Sequence, residues 1–233
     1  MSLYKIAGVT AEMNLRYPKA LRQSAEYISD SNEKADIIIN LTDEFLKARH
    51  EENPHLSIED CEYIWMGSDF YEALPEFNGF MLHASAVVYN DMAFLFSAPS
   101  GTGKSTHTQL WLKAFDGAYI LNDDKPAIRL VNGKAYAFGT PFSGKTDLNV
   151  NKGVALKGIC MVERAAENRI ERVSPEEALF GILNQTLRPS DEAKMDKLLN
   201  VLDRLLAEVP VYRLYCNMSL DAAKTAYKGM TEA

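Results

Sequence analysis

The stretch Ala98-Pro-Ser-Gly-Thr-Gly-Lys-Ser105 carries residue types suited to holding a polyphosphate. Against the pattern G-x-x-x-x-G-K-[ST], Gly103, Lys104 and Ser105 match, and Ala98 stands where the first glycine would be. Gly101 and Gly103 let the backbone turn tightly and aim its N–H groups at phosphate oxygens. Lys104 would bring positive charge to the outer phosphates, and the Ser105 hydroxyl would ligate Mg²⁺. An apolar run at 92–96 precedes the loop and a helix-compatible stretch at 106–114 follows it. That helix aims its positive end at the same anion. Strand, loop and helix in this order distinguish the motif from a chance lysine in a turn. The expected nucleotide contacts are Ser100, Gly101, Thr102, Gly103, Lys104, Ser105 and Thr106.

A second constellation lies just past the next apolar run, Ala118-Tyr-Ile-Leu121, which ends in Asn122-Asp123-Asp124. Phosphoryl transfer needs an acidic strand end beside the phosphate loop. One carboxylate can hold Mg²⁺ or its water shell, and the other can accept a proton from an attacking hydroxyl. Two adjacent acids closing a buried strand would repel each other without a cation nearby. His83 precedes the loop strand and, by alternation, shares a face with Met81 and Ser85. Lys145, in Gly139-Thr-Pro-Phe-Ser-Gly-Lys145, is a candidate second cation for the phosphates, with Asn149 and Lys152 behind it. Arg164 is a weaker candidate, and His107 and Gln109 are expected to pack or solvate the loop helix.

The elements that must position these groups are legible in part. Residues 80–89 and 92–96 read as two strands joined by Asn90-Asp91, a β-hairpin whose second arm feeds the loop. Asn132-Gly133 marks another hairpin, between 126–131 and 134–138, and 156–162 reads as a further strand. The last third turns helical. Ser174-Pro-Glu-Glu177 reads as a capping box with proline at the first helical position, residues 191–209 as a second helix, 211–215 as a strand and 219–227 as a last helix. Before residue 80 the chain reads as a small α+β portion: a strand at 4–9, a helix at 18–29, a strand at 36–41 and a helix capped by Thr42. Tyr63, Ile64, Trp65, Phe70 and Tyr71 are expected in the core.

The chain has 233 residues, 47% of them hydrophobic and 24% charged, with a net charge of −7. That balance speaks against a general nucleic-acid or anionic-membrane binder. No apolar run reaches the roughly 20 residues a bilayer span needs. Cys61, Cys160 and Cys216 are far apart, without metal-ligand spacing, and are expected as buried thiols. These features, with no signal-like apolar core at the N-terminus, lead us to expect a cytoplasmic protein.

Leu-His83-Ala-Ser-Ala-Val, Ser-Gly-Thr-Gly-Lys-Ser-Thr106 and Leu-Asn-Asp-Asp124 resemble, in order and spacing, the catalytic domain of the HPr kinase/phosphorylase family, over about residues 80–130 and more loosely to 165. The resemblance implies an α/β fold shared with phosphoenolpyruvate carboxykinases: a mixed, largely antiparallel P-loop scaffold at 80–233, with the α+β portion at 1–79. It implies ATP and Mg²⁺ as cofactors, Lys104 and the loop amides on the phosphates, Ser105 and Asp124 on Mg²⁺, Asp123 as general base and His83 near the transferred phosphate. The chain departs from the family in Thr106, where the family has glutamate. The loop 139–145 also stands where the family has an arginine-containing signature, and the first 80 residues do not look like the family's N-terminal domain. The expected activity is a kinase acting on a serine-type hydroxyl of a protein, peptide or small molecule. The alternatives are a non-catalytic nucleotide sensor that docks a partner protein and a small-metabolite enzyme of the phosphoenolpyruvate type. Assembly into a homo-oligomer is left open.

Overall fold

The computed structural model describes residues 1–31 and 33–232. Over these residues the chain is mixed α/β, with seven α-helices and two sheets. The small sheet pairs β1 (Ser2–Ile6) with β2 (Val9–Met13) antiparallel, and β2 with β3 (Ile37–Ile39) in parallel. The single strand expected at 4–9 is thus a hairpin. Its turn is Ala7-Gly8, both residues at positive φ (52° and 76°), which an alanine does not advertise. Helix α1 (Pro18–Ser24) is shorter than expected and ends in a 3₁₀ turn over Ala25–Tyr27. Then come α2 (Asp43–Glu52), capped by Thr42, and α3 (Ile58–Ala73), which opens with a full capping box of Ser57 and Asp60.

The large sheet has nine strands: β4 (Gly79–Met81), β5 (Ala84–Tyr89), β6 (Met92–Ser97), β7 (Tyr119–Asn122), β8 (Ala127–Val131), β9 (Lys134–Phe138), β10 (Gly153–Arg164), β11 (Arg169–Arg172) and β12 (Val211–Cys216). Within this sheet, among the described residues, β10 pairs in parallel with β6 and β12, and the other pairings are antiparallel. It also joins the halves of the sheet. Its first residues pair with β9, and from Leu156 it pairs with β6, with a register shift before Gly158 that bends the strand. The hairpin turns Asn90-Asp91 and Asn132-Gly133 form as expected, all four residues at positive φ.

The run at 80–89 does not stay one strand. β4 pairs with β8 and β5 with β6 and β7, so the chain crosses between sheet halves at Leu82 and His83. There the backbone N–H of Leu82 donates to Pro126 O (3.2 Å) and that of His83 to Gln185 O (2.7 Å). His83 therefore sits in a linker. Strand alternation splits the core between the sheet's two faces. Ala86, Val88, Ala93 and Leu95 pack toward α5 (Pro175–Leu183) and α6 (Glu192–Glu208). Val87, Phe94 and Phe96 pack toward α4 (Lys104–Ala114) and α7 (Leu220–Thr231) around the fully buried Trp111. Burying each large side chain is worth about 1.5–3 kcal/mol, which fixes the helices that carry the site. At α5 only the cap half of the box forms: Ser174 Oγ accepts from Glu177 N, while the Glu177 carboxylate pairs with Arg213.

A third cluster gathers the N-terminal elements around Tyr27, Met66, Phe70 and Phe142. Tyr63, Phe70 and Tyr71 are buried, as expected, whereas Ile64 is exposed. All three cysteines are free and buried. No helix among the described residues is long and apolar enough to cross a membrane.

Candidate functional site

Strand direction gathers the candidate residues at one sheet edge. β6, β10 and β12 run in parallel, and β7 shares their direction because both β6 and β7 are antiparallel to β5. Their carboxyl ends therefore meet: Ser97 leads into the glycine-rich loop, Asn122 into the acidic pair, Arg164 ends β10 and Cys216 ends β12. β5 starts at the same edge, with Ala84 opposite Ser97, so His83 lies there too.

The loop turns through Gly101 and Gly103 (φ 78° and 124°). A Cβ at either would meet open space, so the backbone conformation, and not crowding, calls for glycine there. Gly103 stands at the N-cap of α4, where no side chain caps the helix and the first turn holds no acid. By contrast, α2, α3, α5 and α6 all have a side-chain cap and acidic first turns. The free N–H groups of α4 therefore face the loop with a positive potential. Lys104 is buried, and its Nζ donates to Ala98 O at 3.0 Å. Burial lowers its pKa, against the pull of Asp124 and Asp123. Ser105 is half-buried, and Ser100 and Thr106 are exposed. Arg164 spans the loop from outside, Nε donating to Thr102 O (2.8 Å) and Nη2 to Gly101 O.

The two acids occupy different surroundings. Asp123 is buried, and its Oδ1 accepts from Ser85 Oγ at 2.6 Å. Because Ser85 has given its one proton to Asp123, it accepts from Thr108 Oγ1 (2.7 Å), on α4. A chain of hydroxyls thus ties the carboxylate to the loop helix. Asp124 faces His83 Nε2 at 3.4 Å and pairs with the Lys125 ammonium. Burial pushes its pKa up, but His83 and Lys125 outweigh that and hold it at about 2. Gln185 Oε1 lies 3.0 Å from His83 Nδ1 and fixes the ring from behind.

The segment 139–145 folds onto this pair. Gly144 (φ 75°) sits so close to Asp124 that a Cβ would lie 2.9 Å from its carboxyl carbon. Thr140 is buried, bonded to Asn122 Nδ2 and to Lys125 O (3.0 Å). From α3, Tyr71 donates to Lys125 O at 2.6 Å and Tyr63 Oη accepts from Gly144 N at 2.9 Å. Lys145 follows in this loop with its side chain exposed. Asn149 is turned inward, between Tyr27 and Ser143, and Lys152 reaches the Tyr119 ring instead of the loop. Ser85, Thr108, Gln185, Lys125, Tyr63 and Tyr71 support the candidate residues without any motif announcing them.

Beside the loop lies a cavity of about 370 Å³ whose walls include Thr106, Leu110, Val162 and Met218. His107 forms part of its floor. The ring is buried, accepts from Trp111 Nε1 at 3.1 Å, and burial depresses its pKa to about 4. Between that value and the ordinary one near 6.5 the unfolded chain binds a proton that the folded chain refuses. Stability therefore falls as pH drops through this window, by roughly 3 kcal/mol in full. Urea unfolding at pH 4.5 and pH 7 should show this slope, and His107→Gln should flatten it; an unchanged slope in the variant would refute the assignment. Asp124 acts in a lower window, its contribution lost as pH falls toward 2.

No family model and no curated protein matches the chain. Among solved structures, the chain is similar to the Hpr(Ser) kinase/phosphatase from Coxiella burnetii, with a TM-score of 0.39 and 13% sequence identity, over 65% of this chain and 97% of that one.

Proposed function

We propose that the protein is an ATP- and Mg²⁺-dependent phosphotransferase acting on a serine-type hydroxyl. The observation that carries this reading is the hydroxyl chain Thr108–Ser85–Asp123, which sets a buried carboxylate against the helix whose free N-terminus and Lys104 are suited to a polyphosphate. Lys104 and the amides of Gly101 to Thr106 hold the phosphates, the exposed Lys145 is the candidate second cation for them, and Arg164 keeps the loop's shape through its carbonyls. The adjacent cavity takes the nucleobase between Leu110, Val162 and Met218. Ser105 and Asp124 fit a Mg²⁺ ion, because a hydroxyl and a carboxylate that stays ionised are hard oxygen donors, and Asp124 is already matched to cations. When bound, the metal supplies neutralisation of phosphate charge. Asp123, whose bonded neighbour is a neutral hydroxyl, takes the acceptor's proton. His83 orients Asp124. The same proposal takes residues 80–233 as the phosphotransferase unit, of the P-loop kind named above, residues 1–79 as its smaller companion, and the cytoplasm as its setting.

The pairing of Asp124 with Lys125 and His83 favours one other reading, a nucleotide sensor without transfer, since those groups already compensate the carboxylate. A single experiment separates the two. With γ-phosphate-labelled ATP and Mg²⁺, and serine peptides, free serine and an HPr-like protein as acceptors, label should move to an acceptor. Binding without transfer to any of them would favour the sensor, and no nucleotide binding would defeat both.

A further inference from the structure

A second cavity, of about 380 Å³, lies between α3, the segment 139–145 and the end of β4. Tyr63, Gly67, Met81 and Phe142 make its walls apolar, and Ser68 stands beside them. Gly67 matters here: a Cβ would meet the Phe142 ring at 2.9 Å, so only glycine lets α3 and that ring close the wall. The two tyrosine hydroxyls are already used, Tyr63 by Gly144 N and Tyr71 by Lys125 O. The charged group of the cavity is Lys125, whose ammonium rests on Asp124, one residue from Asp123. Met81 lies two residues before His83, and Leu187, two residues after Gln185, also lines the space. An apolar, ring-lined cavity thus reaches Lys125, whose ammonium contacts Asp124. Its size is that of a small ligand or a large side chain.

We propose that this cavity holds the apolar body of the phosphate acceptor, a branched or aromatic group whose hydroxyl lies at the Lys125 end; the proposal rests on the phosphotransferase reading above. In the transfer, the acceptor oxygen forms a bond to the terminal phosphorus. The bond from that phosphorus to the bridging oxygen breaks, and its electron pair leaves with the nucleoside diphosphate. The hydroxyl proton passes to the Asp123 carboxylate. A purely polar acceptor such as free serine leaves the cavity unfilled and gains nothing from it.

Two probes share this chemistry and separate its sources: N-acetyl-seryl-phenylalaninamide for a peptide and 2-phenylethanol for a small molecule. Their binding is read by saturation-transfer NMR with ADP and Mg²⁺ present, and their phosphorylation with labelled ATP, each against free serine. At least one probe should bind, and be phosphorylated at least about tenfold more efficiently than serine. Ser68→Trp, which fills the cavity, should weaken that binding and transfer by at least about tenfold while nucleotide affinity stays unchanged. Ile64→Trp, at an exposed position on the cavity rim, should do the same should the first variant fail to fold. If neither probe binds the wild-type protein, or if the filled variants bind and phosphorylate as well as wild type, the proposal is overturned. Binding abolished by Ser68→Trp, with no phosphate moved to any acceptor, would uphold the cavity as a ligand site and defeat the phosphotransferase reading instead.

Discussion

Asp123→Asn should lower the rate of phosphoryl transfer by about 10²–10⁴-fold while ATP affinity changes little. Asparagine keeps the size of the side chain, and its Oδ1 can still accept from Ser85, so the hydroxyl chain to Thr108 on α4 persists. What disappears is a carboxylate able to take a proton. The neighbouring acid cannot substitute. With its pKa held at about 2 by His83 and Lys125, Asp124 is a permanent anion and a weak proton acceptor. The separation of the two environments therefore predicts different phenotypes. Asp124→Asn should raise the Mg²⁺ concentration needed for half-maximal activity, and Asp123→Asn should leave that requirement alone. Single-turnover transfer from labelled ATP, measured across Mg²⁺ concentrations, reads both. Full activity in Asp123→Asn would remove Asp123 from the chemistry.

The glycine-rich loop was legible because its chemistry constrains residue types locally: positive φ at Gly101 and Gly103, and a lysine at the start of a helix. The acidic pair was legible because two charges at the end of an apolar strand call for a partner. The hairpin turns at Asn90-Asp91 and Asn132-Gly133 carry their own left-handed residue types. Where a turn uses Ala7-Gly8, local composition is silent. The division of 80–89 was also invisible, since apolar residues continue through both strands and the crossing is fixed by hydrogen bonds from Leu82 and His83 to Pro126 and Gln185. β11 has the sequence Arg-Ile-Glu-Arg, a polar edge strand with no apolar run to mark it.

The support of the site lay beyond local reach for a related reason. Tyr71 meets Lys125 O across 54 residues of chain, and Tyr63 meets Gly144 across 81. Residue types alone do not announce such pairings. The only local clue is Gly144, which must be a glycine to let the loop approach Asp124. Local motifs in the sequence therefore reveal candidate groups, while the residues that hold them in place are found only once the chain is folded.

Lys104→Met should weaken ATP and ADP binding by at least about 100-fold, equivalent to roughly 2.8 kcal/mol at about 1.4 kcal/mol per tenfold. Methionine preserves most of the aliphatic stem, so packing at this buried position is largely kept. The variant loses an ammonium whose burial already lowers its pKa, a sign that the free protein maintains this charge at some cost. Among the described residues that ammonium donates to Ala98 O, a backbone carbonyl of the loop itself. Removing the charge should thus leave the melting temperature of the free protein unchanged or slightly raised. Bound nucleotide should separate the two proteins clearly. At about 100 times its Kd, ATP should stabilise the wild type by roughly 2.7 kcal/mol, and the same concentration should barely shift the variant. Loss of nucleotide stabilisation without loss of intrinsic stability would mark a lysine placed for a ligand and not for the fold. If the variant instead kept the full ATP-induced shift, the segment from Ala98 to Ser105 would be an ordinary connection between β6 and α4, and the acidic pair behind it would have no phosphate to act on.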